Sequence, residues 1–277
     1  MRKLLIAALL LLAGCTFIDP GGRETLLDRA EAQGWKGALV EAKPFTLFTL
    51  SQRRPASDRS LQVIYIEGDG LAWLDRTTVS ANPTPQQPVA LRLALADPKA
   101  SLYIGRPCQY LDTAQTARCD PRYWTSHRYA PEVVEALSRA IDRFKNGADG
   151  KIELIGYSGG GVLAALIAAR RSDVRHIITV AANLDLAAWT RTLGVDEMTA
   201  SLDPAREANK IGTIAQYHLV GAKDETVPPS VVRSYIGHLP ISAARNLVEE
   251  VPGYGHTCCW HENWALRIGA VRDRLAP

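Results

Sequence analysis

Near the middle of the chain, two segments of opposite periodicity meet almost without a linker. Lys151–Gly156 is a short apolar run of buried-strand character, and Gly159–Arg171 is a helix-like stretch rich in Ala, Leu and Ile. Only Tyr157 and Ser158 lie between them. A strand that becomes a helix within two residues closes only if its neighbours are small. Gly156, Gly159, Gly160 and Gly161 meet that demand. The turn forces Ser158 into strained dihedrals and lifts its hydroxyl above the sheet edge, at a helix N-terminus.

The same alternation runs through most of the 277 residues. Strands are predicted at Phe45–Leu50, Leu61–Ile66, Ser101–Gly105, Arg175–Ala181, Ile214–Val220 and Asn246–Val251. Helices are predicted at Pro88–Ala96, Pro131–Phe144, Pro229–Ile236 and Trp260–Leu275. This order argues for one α/β domain, a mostly parallel twisted sheet with helices on both faces. The segment between the Arg175–Ala181 and Ile214–Val220 strands is too short for a large lid domain. Trp189 and Met198 within it are candidates for an acyl pocket or for core.

The N-terminus is of another kind. Met1-Arg2-Lys3 precedes an unbroken apolar run, Leu4–Leu12, too short to span a bilayer and laid out as a signal peptide. Leu12-Ala13-Gly14-Cys15 resembles the bacterial lipobox, which implies residues 1–14 as a removable signal and Cys15 as the lipidated N-terminus. Thr16 after the cysteine favours the outer membrane over the inner. Residues 15–44 then read as a tether with a short helix, and 45–277 as the folded domain. The 32 basic and 29 acidic residues give a net charge of +3, and without Arg2 and Lys3 the balance is 30 against 29. With no block of like charge, a nucleic-acid partner is not expected. An exported location permits disulfides among Cys108, Cys119, Cys258 and Cys259. Cys108 and Cys119 are expected to pair, leaving Cys258-Cys259 reduced or bridged; the rival is a cross-link between the two cysteine-bearing loops.

A serine hydroxyl becomes a nucleophile when a base takes its proton and an acid orients that base. Ser158 lies in Gly156-x-Ser158-x-Gly160. Asp224 follows the Ile214–Val220 strand in Gly221-Ala222-Lys223-Asp224, and His256 follows the last strand in Pro252-Gly253-Tyr254-Gly255-His256. From Leu61 onward, these motifs in this order resemble the α/β-hydrolase superfamily, whose triads run Ser, acid, His. The resemblance implies the α/β-hydrolase fold, catalysis by Ser158, Asp224 and His256, and an oxyanion hole from the N–H groups of Gly159 and Asp69. It implies no metal and no organic cofactor. Asp185 and His261 are the rivals for acid and base, and His218 reads as core.

Where many relatives carry His-Gly, this chain has Glu67-Gly68-Asp69, two carboxylates beside the expected oxyanion hole. They would oppose negative charge unless paired, and Arg76 and Arg106 are the candidate partners. The long excursion 106–130 should lie over the strand ends, so Tyr110 and Trp124, with Tyr157, are candidate substrate contacts. The expectation is a lipid-anchored serine hydrolase of small acyl substrates, carboxylic esters first. The alternative is a non-catalytic binding or assembly lipoprotein on the same scaffold.

Overall fold

In the computed structural model, the described residues are 22–52, 61–145, 150–240 and 246–276. The signal segment, Cys15 and Thr16 lie outside them. One eight-stranded sheet organises the chain, in the order β1-β2-β4-β3-β5-β6-β7-β8. The strands are β1 (Lys36–Ala42), β2 (Phe45–Ser51), β3 (Leu61–Ile66), β4 (Ala100–Ile104), β5 (Lys151–Tyr157), β6 (Val174–Val180), β7 (Ala215–Gly221) and β8 (Asn246–Val251). β1–β2 and β2–β4 pair antiparallel, and every other pair is parallel. β1 corrects the expected domain boundary at residue 45. Its burial alternates weakly, with Val40 and Ala42 inward, so Lys36-Gly37-Ala38-Leu39 gives no strand signal of its own.

The period of two in each strand sorts the core into two layers. Ile64 and Ile66 of β3, with Leu154 of β5, face one helical layer: α4 (Pro131–Phe144), α5 (Gly159–Ala168), α7 (Pro204–Ile211) and α8 (Pro229–His238). Val63, Tyr65 and Ile155 face the other: α1 (Arg23–Ala32), α2 (Val89–Ala96) and α9 (Trp264–Leu275). α4 starts at Pro131, which donates no N–H where none is needed, and buries Val133, Val134, Leu137 and Ile141. Fully burying each such side chain is worth about 1.5–3 kcal/mol. α5 is buried along its whole length, which explains why its sequence carries no polar face.

α9 is clamped to the sheet through polar groups. Arg272 donates to both Asp97 oxygens at 2.9 and 2.6 Å and to Glu153 at 2.8 Å. Trp264 donates to the Tyr65 hydroxyl at 2.9 Å, and Tyr65 donates to Asp97 at 2.8 Å. Asp97 and Glu153 are buried, so the helix supplies the counter-charge for two interior carboxylates.

Two further helices, α3 (Thr113–Thr116) and α6 (Leu186–Leu193), sit in the connections at the carboxyl ends of the strands. Cys108 is bonded to Cys119 across the 106–130 excursion, and Cys258 to Cys259. No helix among the described residues is long and apolar enough to cross a membrane.

Candidate active site

β5 ends at Tyr157, α5 begins at Gly159, and Ser158 between them has φ 50° and ψ −125°. That left-handed conformation is strained for a residue with a side chain. Close approach explains the glycines around it. A Cβ on Gly156 would lie 2.2 Å from the Gly160 carbonyl oxygen, and one on Gly160 would lie 2.2 Å from the Ile66 carbonyl oxygen. The turn is therefore wedged against the end of β3.

The Ser158 hydroxyl lies 3.1 Å from His256 Nε2, and His256 Nδ1 lies 2.9 Å from Asp224 Oδ2. The carboxylate partner assigns the proton to Nδ1 and leaves Nε2 to accept from the serine. Asp224 is buried, and its other oxygen accepts N–H bonds from Thr226 at 2.9 Å and Val227 at 2.7 Å. The acid and histidine loops are stitched together by Lys223 N–H to the Tyr254 carbonyl at 2.8 Å. The His256 carbonyl accepts from Trp260 at 2.9 Å and Tyr157 at 3.2 Å, which fixes the backbone carrying the ring. All three side chains thus come from the ends of β5, β7 and β8, as the motif order predicts.

The rivals are occupied elsewhere. Asp185 caps α6 through the Ala188 N–H at 2.8 Å and accepts from Ser234 at 2.6 Å. His218 is buried against Thr179 at 2.9 Å, and burial pushes its pKa down to about 3. His261 lies 3.5 Å from an Arg92 nitrogen, with burial and that charge both lowering its pKa.

The Glu67-Gly68-Asp69 loop resolves its charge internally. Asp69 is held by Arg106 and Arg128, one on each oxygen, and accepts from the Tyr129 hydroxyl at 3.2 Å. Arg106 lies over the Tyr129 ring, 5.1 Å from its centroid, and donates to the Arg128 carbonyl at 2.6 Å. Arg106 is a partner anticipated from the sequence; Arg128 takes the place foreseen for Arg76, which lines the cleft instead. Glu67 accepts the N–H groups of Gly68, Ala90 and Leu91 and the Tyr103 hydroxyl; burial still raises its pKa. Among the described residues, the Asp69 and Gly159 N–H groups donate to no protein acceptor. The Asp69 carboxylate lies so close to Gly159 that a Cβ there would overlap it at 2.0 Å.

Burial alone would raise the Asp69 pKa, but Arg128 and Arg106 outweigh it and hold it at about 2. A pKa below the unfolded value of about 4 stabilises the fold fully above that pH, and the contribution is lost as pH falls toward 2. Denaturant titrations between pH 5 and pH 2 should therefore show a steeper acid loss in the parent than in Asp69→Asn. Asp173, also held at about 2, leaves a residual slope in both proteins. Equal slopes would remove Asp69 from the account.

A cleft of about 1230 Å³ opens above Ser158 and His256. Its apolar lining includes Leu71, Trp73, Trp189, Leu193 and Met198. Tyr157 lines it as predicted, but Tyr110 and Trp124 do not. Tyr110 stacks on Phe48 at 4.6 Å and shares a 2.8 Å hydrogen bond with Tyr103, so the sheet absorbs it. Trp124 is buried against Ala72 and Cys108 and donates to the Ser80 carbonyl at 3.0 Å, which pins the excursion beneath 71–80. Arg128 and Asn183 also line the cleft. The Asn183 Oδ1 is buried with no hydrogen-bond partner among the described residues, and nothing in its local sequence marks it.

No protein-family model matches the sequence, and no curated protein is detectably similar to it. Solved structures do match its shape. An alpha-beta serine hydrolase homologue from Coxiella burnetii superposes with a TM-score of 0.56 at 18% identity, over 87% of this chain and 97% of that one. Est1E from Butyrivibrio proteoclasticus gives 0.60 at 13% identity, over 86% and 98%. The fold is that of the α/β-hydrolases. The esterase domain of a Rhodothermus marinus protein agrees, with 0.58 at 10% identity over 87% of this chain and 99% of that one. In this hydrolase fold, Ser158 stands at the turn after β5 and the cleft opens above it.

Proposed function

We propose that the chain is a serine hydrolase that cleaves carboxylic esters through an acyl-enzyme, held by a lipid on Cys15 in the bacterial envelope, at the outer membrane. The observation that carries the catalytic part is the relay from Ser158 through His256 to a buried, doubly hydrogen-bonded Asp224. Ser158 Oγ attacks the acyl carbonyl while His256 Nε2 takes its proton. The Gly159 and Asp69 N–H groups receive the oxyanion, and His256 returns the proton to the departing alcohol. Water then repeats the sequence in reverse and frees the acid. Arg106 and Arg128 neutralise the carboxylate next to that oxyanion, so the unusual loop is compatible with the chemistry.

Labelling the full chain with a fluorophosphonate tests the reading. The parent should react, Ser158→Ala should not, and circular dichroism should show both folded. A folded parent that stays unlabelled would favour the non-catalytic binding lipoprotein.

A further inference from the structure

Large apolar side chains gather at the cleft mouth. Trp73, Leu74, Val79 and Val195 are 41%, 60%, 37% and 46% exposed. Trp73 and Val195 line the opening, Val79 is bridged to Trp73, and Leu74 sits in a turn closed by its N–H to the Thr78 carbonyl at 2.9 Å. One exposed apolar residue means little, whereas several at one opening mark a contact surface.

The chain enters the domain at the same rim. Arg23, the first residue of α1, donates its N–H to the Gln86 carbonyl at 2.8 Å, and Gln86 lines the cleft. Arg23 is eight residues beyond Cys15 in the sequence, and eight extended residues reach at most about 29 Å. A domain of this size is roughly 45 Å across. A lipid on Cys15 cannot reach around it, so the Gln86 rim cannot lie on the side turned away from the bilayer.

Resting on the anchored-hydrolase reading above, we infer that the cleft mouth docks on the lipid surface to which the chain is tethered. Trp73 and Leu74 enter the headgroup region, where tryptophan is favoured, and the esters cleaved are drawn from that surface. Asp75, Asp196 and Glu197 outnumber Arg76 around the opening, so the contact is apolar and prefers zwitterionic to anionic lipid.

The test uses the full chain in phosphatidylethanolamine–phosphatidylcholine vesicles containing lipid brominated near the top of its acyl chains. Of the six tryptophans, Trp35, Trp124, Trp260 and Trp264 are buried and Trp189 is half-buried in the cleft, so in a Trp189→Phe background bromine should quench mainly Trp73. The expected result is quenching that Trp73→Leu abolishes and Leu74→Asp weakens. Leu74→Asp should also lower turnover of a vesicle-borne ester, relative to a short soluble one, by roughly tenfold. Quenching that is absent, or that survives Trp73→Leu, overturns the docking, whether a second copy or the Leu4–Leu12 run covers the patch. If Ser158 still reacts with fluorophosphonate in that case, the hydrolase reading stands. Quenching without labelling would sink the hydrolase reading and leave the docked surface.

Discussion

Ser158→Ala is expected to lower kcat for a cleaved ester by about a million-fold, and adding His256→Ala should lower it little further. The two act as a unit: with the hydroxyl gone, His256 Nε2 has nothing to deprotonate from its 3.1 Å position. Asp224→Asn should cost about ten thousand-fold, because an amide N–H cannot accept from Nδ1 and the ring turns to the wrong tautomer. Stability should move the other way. Ser158 is held at φ 50°, where a glycine is at ease, so Ser158→Gly should be inactive yet more stable by about 1 kcal/mol. Single-turnover kinetics and thermal melts of the same preparations read both effects. Losses that multiply across the double variant would contradict a shared proton relay.

Gly160→Ala is expected to be among the most damaging single methyls near the site. The new carbon would meet the Ile66 carbonyl oxygen at 2.2 Å and that of Glu67 at 2.6 Å, both main-chain atoms that cannot swing aside. Separating α5 from β3 should cost about 3 kcal/mol and lower Tm by roughly 6–12 °C. It should also displace the Asp69 N–H, so the folded fraction would lose activity as well. Gly237→Ala is the control: nothing lies within 4 Å of its added carbon, in α8, and the helix should gain up to about 1 kcal/mol. A Gly160→Ala protein as stable as Gly237→Ala would refute the wedge.

What the sequence discloses depends on whether the information is local. Leu61–Ile66 and Asn246–Val251 coincide with the observed strands, because β-branched residues flanked by turns report their own state. The relay residues were legible because each follows such a strand, and in a parallel sheet those ends converge. Tyr110 and Trp124 were misplaced because loop membership does not say which way an aromatic turns. Phe48 and Ser80, 62 and 44 residues upstream of them, decide it. Arg128 was likewise invisible as the second partner of Asp69: 59 residues separate them, and Arg76 stood closer in sequence. β1 escaped notice because its strand character comes from pairing with β2, not from its composition.

The clamp made by Arg272 has a consequence for when this protein becomes a protein. Until α9 exists, Asp97 and Glu153 face the interior without their cation, and Tyr65 lacks the Trp264 donor. Tyr65 and His176 remain to hydrogen-bond these carboxylates, but closing the core without the Arg272 charge is costly, so a chain cut short of Arg272 should be markedly less stable. Every strand precedes Arg272 in the sequence, so the sheet receives the cation that clamps these two carboxylates last.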